Sequence, residues 1–409
     1  MLPFLGYNPY RMRSRTNRLR NLVATYWQPA VFYGLLIVFF GLLSWFKVGS
    51  LTGGYSHSEL TAFNAGNSWQ EILDNPVNAP FSIIAYLISF LHFGEHDILP
   101  LRIASAVLGL LTLTMFYWLV RHWHGERSAI LGTVIFGCSA WFLHTERLGT
   151  PEVLLLLLLG LVAGSVWLKR TDNRWLLPIG FVLIAALLYV PGMIWFLIVG
   201  AMWQAKTLWR LFKNHFNMMI IGLLGLLALI TPLVWSIYKA PQTAKVITGL
   251  PAEGWPNFIE TARRLAQIPN NLFYHGPPDA EQWLGRLPLL DAFSIGMLLL
   301  GVYLYIRHWR LVRSKMVGTS LAVGALLASL GGGVSPIILM PFIYILIATG
   351  IGFMLDRWQK VFPRNTIAQA IGVGLISAAV VVASWYGLRH YFVAWPNAPA
   401  TRQTFTIEQ

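Results

Sequence analysis

The sequence predicts an all-α, polytopic integral membrane protein, and three observations carry that prediction. The chain is 56% hydrophobic and 11% charged over 409 residues, where a soluble domain carries about 25% charge. Its mean hydropathy is +0.59. Apolar runs of about 15 to 22 residues recur to the C-terminus, and about 20 helical residues cross a hydrocarbon core of about 30 Å. Inside lipid every backbone N–H and C=O must be paired within the chain, so such runs read as helices.

Taken in order, the first 27 residues carry Arg11, Arg13, Arg15, Arg18 and Arg20, a basic segment expected to stay cytoplasmic. No small-residue cleavage site follows the apolar run from Ala30 to Phe46, so span 1, about 28–47, is read as uncleaved. It delivers the chain to an outer loop, 48–100, whose first part is rich in Gly, Ser, Asn and acids. Phe81 to Phe93 is apolar, but its 13 residues make only about 20 Å of helix. That stretch, 81–93, is expected to lie in the outer interface. Spans 2, 3 and 4 follow at about 101–120, 128–144 and 152–168. The apolar run 176–203 is broken by Pro191-Gly192, a pair that stops a helix. Both its flanks are basic, with Lys169, Arg170 and Arg174 before and Lys206, Arg210 and Lys213 after, so two spans, 5 and 6, keep both flanks inside. Span 7 covers about 217–238 and an outer loop covers 239–288. Spans 8 to 11 cover about 289–306, 316–331, 336–355 and 367–387. The result is about 11 transmembrane helices over a body at 28–388, the N-terminus inside, and an outer tail at 389–409.

Charge supports this arrangement. Of 30 Lys and Arg residues, 20 fall on the expected inner side, with only Glu126, Asp172 and Asp356 among the acids there, while the outer side holds 10 basic residues and 13 acids. The net charge of +14 is thus an anchor to the inner leaflet and its membrane lipids, not a nucleic-acid footprint. The lone Cys138 sits in an apolar run, which excludes an intrachain disulfide.

Two outer segments carry acids in recognisable motifs. The first contains Tyr55-Ser56-His57-Ser58-Glu59, then Ala79-Pro80, Phe93-Gly94, and a span led by Arg102 with Ala106 and Gly109. The second reads His144-Thr145-Glu146-Arg147-Leu148-Gly149-Thr150-Pro151-Glu152. The tail carries Tyr391-Phe392-Val393-Ala394-Trp395-Pro396. In order and sidedness these motifs resemble the C-type glycosyltransferases that use polyprenyl-phosphate sugars, in the branch of protein O-mannosyltransferases and aminoarabinose transferases. That family shows an acidic pair, usually Asp-Glu, a proline-marked interface helix, a Phe-Gly turn and an Arg-led span. This chain departs from the pattern twice: Ser58 stands at the first acid of the pair, and 188–195 lacks a lysine that many relatives carry.

The resemblance implies an enzyme of the cell membrane with its site facing the periplasm or exterior. It would move a sugar from a polyprenyl-phosphate donor to an acceptor hydroxyl on a protein, lipid or glycan. Such a donor is already activated at C1, so the protein has to orient the acceptor, take its proton and stabilise the departing phosphate. Glu59 is expected as the general base with inversion at C1, and Glu152 or Glu146 as the group that orients the acceptor. Arg147, His57, Arg286, Arg263, Arg264 and His275 are the candidates to contact the donor phosphate. No cofactor is implied, although the acids leave a divalent cation open.

His92-Phe93-Gly94-Glu95-His96 fits the inverted zinc-protease pattern, but that pattern needs a regular helix, and Gly94 with Pro100 puts it at a helix end. Two further classes compete: a non-catalytic lipid-binding or scaffold subunit of an envelope complex, and a transporter. The expected spans are nearly free of charge, whereas a transport pathway carries buried ionisable groups.

Overall fold

The computed structural model describes residues 33–66, 68–92, 98–171, 175–251, 254–285 and 287–406. The basic segment 1–27, Arg286 and most of the zinc-like pattern (residues 93–96) lie outside the described residues. The chain forms two compact units, Met1–Phe46 and Lys47–Gln409. In the first, helix α1 covers Tyr33–Trp45. Among the described residues the second is built of helices with no extended strand.

The second unit opens with a loop and three short helices, α2 (His57–Gly66), α3 (Trp69–Asp74) and α4 (Ala79–His92). The last coincides with the stretch expected in the interface, and Pro80 stands in its first turn, where a missing N–H costs no helical hydrogen bond. Helix α5 (Leu99–His124) carries Pro100 in its first turn and follows the expected span 2.

Span 3 differs from its expectation. In place of one helix over 128–144 there are two, α6 (Glu126–Gly137) and α7 (Ala140–Arg147), bent by 65°. Ser139 makes the break: its backbone is extended and its hydroxyl accepts from the Phe142 N–H at 3.3 Å, so it caps a new helix. At the bend Gly387 lies so close to the Cys138 carbonyl that no side chain would fit.

After α7 a 3-10 turn, Pro151–Leu157, runs into α8 (Leu158–Thr171). The run 176–203 is divided as Pro191-Gly192 predicts, into α9 (Leu176–Leu188) and α10 (Met193–Asn214). Gly192 has φ +78°, a left-handed conformation that suits glycine. Helix α11 (Phe216–Lys239) follows, then α12 (Gln242–Thr248) and α13 (Phe258–Phe273) in the expected outer loop. The rest is α14 (Ala292–Arg307), α15 (Val312–Ser329), a 3-10 turn leading into α16 (Met340–Val361), α17 (Thr366–Arg389) and α18 (Pro399–Thr404). Helix α17 continues through a π turn, His390–Ala394, so the first residues of the tail expected from 389 extend the last long helix.

Five helical stretches are long and apolar enough to cross a membrane, or six if α6 and α7 form one bent span. The other expected spans fall on the shorter apolar helices α1, α9 and α14, and on α10 and α15, which carry Lys206, Arg210, Lys213, Arg313 and Lys315. The core is centred on α16, 89% buried over its apolar stretch, while α11 is only 11% buried and α17 22%. The two exposed helices present apolar surface outward, as lipid-facing helices do. Helices α14 and α16 meet through Gly301 and Gly350, each facing a carbonyl of the other helix with no space for a Cβ, the small-residue packing used inside membranes.

Candidate active site

Four segments converge at one end of the second unit: the first loop with the start of α2, the end of α7 with the turn after it, residues 279–283, and the π turn after α17. The first is organised by a local device. Ser56 and Glu59 exchange hydrogen bonds, the Ser56 N–H donating to Glu59 Oε2 at 3.0 Å and the Glu59 N–H to Ser56 Oγ at 3.2 Å. This is a capping box, S-x-x-E, at the N-terminus of α2.

Glu59 is 0% exposed and receives three more hydrogen bonds. Arg102 Nε and Nη2 donate to its two oxygens at 2.6 and 2.8 Å, and the Gly149 N–H donates at 2.9 Å. Arg102, 3% exposed, also donates to the carbonyls of Val48 and Gly54 at 3.2 and 2.9 Å and lies 4.7 Å from the Tyr55 ring centroid. A bidentate arginine pair is the strongest geometry available to a carboxylate. Here it ties α2, α5, the first loop and the turn after α7 into one knot.

Four donors fill the roughly four lone-pair positions of a carboxylate. Glu59 therefore has no position for an incoming proton until a partner leaves. That geometry suits a holder of the loop better than the general base expected from the sequence.

A second carboxylate enters from far along the chain. Glu281 accepts from the hydroxyls of Ser56 and Ser58 at 2.6 and 2.8 Å, and its N–H donates to Asp279 at 3.0 Å. Burial raises its proton affinity above the ordinary carboxylate range, the nearby charges of Asp279 and Glu59 add to the rise, and the two serine hydroxyls oppose it. The next residue, Gln282, donates to Glu152 at 3.2 Å. One turn thus touches both the first loop and Glu152, in the first turn of the 3-10 stretch before α8.

Arg147, at the end of α7, is 3% exposed, with its guanidinium 4.9 and 5.4 Å from the ring centroids of Phe392 and Tyr391. Glu146 packs against Gly109 of α5, where a Cβ would not fit. His144 is boxed by the rings of Trp395, Tyr391 and Trp283 at 4.5, 4.8 and 5.5 Å. Trp395 donates to the Ala280 carbonyl at 3.0 Å, closing the ring of segments. Two small cavities of about 20 and 110 Å³ share Trp141, Pro277, Gln282, Leu289 and Ile337, and Glu152 lines the smaller. A larger apolar cavity of about 430 Å³ lies between α8, α9, α10 and α15.

Of the residues singled out in the sequence, Glu59 is held by Gly149 and, through Ser56, neighbours Glu281, Glu152 is bonded by Gln282, and Arg147 lies against Tyr391 and Phe392. His57 is exposed beside them, its carbonyl accepting from Thr61. Arg264 pairs with Glu260 on α13 at 2.5 Å, and Arg263 and His275 are exposed. Among the described residues none of the last three bonds to the carboxylates of the cluster. Among those residues, too, no three His, Cys, Asp or Glu side chains are placed to hold a metal ion. Sequence reasoning missed Glu281 and Gln282, and it took the S-x-x-E of 56–59 for an acidic motif alone.

No protein-family profile and no curated protein matches this sequence. Solved structures do match its fold. ArnT from Cupriavidus metallidurans in the apo state superposes with a TM-score of 0.53 over 92% of this chain and 78% of that one, at 14% identity. The same protein bound to undecaprenyl phosphate gives 0.52 over 92% and 76%, also at 14%. At 14% identity, what this chain shares with ArnT is its fold.

Proposed function

We propose that this protein is a membrane glycosyltransferase that moves a sugar from a polyprenyl-phosphate donor to an acceptor hydroxyl at the outer face of the cell membrane. The observation that carries the reading is the meeting of the Glu59 loop and Glu152 with the 279–283 turn at one end of a C-type fold, with Arg147 against Tyr391 and Phe392 two residues before Gly149. A neighbour in that fold binds undecaprenyl phosphate, which supports the choice of donor class. In this reading the membrane body is 28–388, and the apolar cavity between α8, α9, α10 and α15 takes part of the lipid chain.

The roles follow from the contacts. The Glu59–Arg102 pair holds the first loop, and Glu152, steadied by Gln282, orients the acceptor. Arg147 offers a planar donor fork to the departing phosphate. A carboxylate of the cluster takes the acceptor proton as its oxygen attacks C1 in line, with inversion.

The test is release of undecaprenyl phosphate by purified protein in nanodiscs from undecaprenyl-phosphate-linked aminoarabinose and mannose. Arg147→Ala is expected to weaken undecaprenyl-phosphate binding about tenfold or more, the loss of one good charge-assisted contact. Unchanged affinity would remove Arg147 from the donor site. The filled coordination of Glu59 and the serine at 58 favour a second reading, a lipid-binding scaffold without activity. Binding of undecaprenyl phosphate with turnover of neither donor would select it.

A further inference from the structure

The first loop lacks an acid where the resembling family has one, and Ser58 stands there. Its hydroxyl does not face an empty position. It donates to Glu281 Oε2 at 2.8 Å, and the Ser56 hydroxyl donates to Oε1 at 2.6 Å. A carboxylate thus sits one hydrogen bond beyond the side chain of residue 58, delivered by a turn 223 residues away.

The two carboxylates beside this loop are held differently. Glu59 is fully buried with four donors. Glu281, 8% exposed, has two hydroxyl donors, which leaves about half of its lone-pair positions open. Serine hydroxyls rotate freely, so they can release a carboxylate that gains a proton, whereas the arginine fork and backbone N–H groups around Glu59 cannot turn away. Burial and the neighbouring charges of Asp279 and Glu59 raise the proton affinity of Glu281 above the ordinary carboxylate range, the direction that strengthens a base. The charged groups facing it are Asp279 on its own turn and Glu59 on α2, the latter compensated by Arg102 of α5.

We infer that Glu281 is the proton acceptor of the transfer, standing in for the acid that position 58 lacks. The inference rests on the glycosyltransferase reading above. In the step, the acceptor oxygen forms a bond to C1 of the sugar and the C1–O bond to the phosphate breaks, its electron pair leaving with the phosphate. The acceptor's proton passes to a Glu281 carboxylate oxygen and later to water.

Four proteins test it: wild type, Glu281→Gln, Glu281→Ser and the exchange variant Ser58→Asp/Glu281→Ser, each with undecaprenyl-phosphate-linked aminoarabinose and mannose. Glu281→Gln and Glu281→Ser are expected to lower turnover about 100-fold or more, the usual contribution of a positioned base, with affinity for undecaprenyl phosphate within twofold of wild type. The exchange variant, with its carboxylate back at position 58, is expected to recover at least tenfold over Glu281→Ser. Active wild type with an equally active Glu281→Gln overturns the inference and leaves the glycosyltransferase reading standing. Loss of both turnover and undecaprenyl-phosphate binding, with no recovery on exchange, makes Glu281 a structural part of the turn and also overturns it. Wild type that turns over neither donor takes the reading and the inference down together.

Discussion

Arg102 and Glu59 are withdrawn from water almost completely, so their worth lies in each other. Burying either alone would be far more costly than burying the pair. Arg102→Met should therefore destabilise the protein by about 3–5 kcal/mol, read as a lower unfolding temperature in detergent. Arg102→Met/Glu59→Met should recover part of that loss, and a double variant as unstable as the sum of its singles would show that the two are uncoupled. Glu281 gives a pH test of opposite character. Its proton affinity is raised in the folded state, so folding binds a proton that the unfolded chain gives up at about pH 4.3. Its contribution to stability is complete below that pH and is lost as pH rises through the folded value. Wild type should lose unfolding temperature relative to Glu281→Gln as pH rises above about 4.3, and parallel curves would contradict the shift. At this scale part of the site was legible. The capping box is a local pattern, and Arg102 opens a recognisable span. The bond from Ser58 to Glu281 joins residues with no shared periodicity, so nothing in either neighbourhood announces it.

Helices in this protein are set by local stop signals and by how closely neighbours approach. Pro191-Gly192 announces its break because proline and a left-handed glycine both oppose helix. Cys138-Ser139 hides its break, since an isolated serine in an apolar run reads as well as a buried polar group as it does as a cap. The break is visible only once Gly387 is found against the Cys138 carbonyl. Close approach also sets the α14–α16 contact. A Cβ on Gly301 would meet the backbone of Leu346, which cannot rotate away, whereas Gly164 of α8 has open space around it. Gly301→Ala is expected to cost about 1–3 kcal/mol through overpacking, and Gly164→Ala to cost nothing and gain up to about 1 kcal/mol of helix propensity. Thermal unfolding of the two side by side checks this, and equal behaviour would mean that α14 and α16 have room to part.

At the scale of the whole molecule, the charge pattern makes a statement about sides. The cluster of Glu59, Glu152 and Glu281 belongs to the segments expected outside, and Arg307, Arg310, Arg313 and Lys315 to those expected inside, where the positive-inside rule would place them in the cytoplasm. The reading of a site that meets an external acceptor depends on this polarity. Cys138 is the chain's one cysteine and is buried, so impermeant thiol reagents should leave the wild type untouched. Two exposed positions then report the sides: His275, after α13, and Arg310, between α14 and α15. In intact cells His275→Cys should react with an impermeant maleimide, and Arg310→Cys should react only after the membrane is opened. Lys213→Cys, at the end of α10, extends the test to the divided run. If α9 and α10 each cross, it is protected like Arg310→Cys; if together they make a single crossing, it labels from outside. The reverse pattern, with Arg310→Cys labelled in intact cells and His275→Cys protected, would turn the molecule over. The carboxylate cluster would then face the cytoplasm, and the acceptor would have to be sought there.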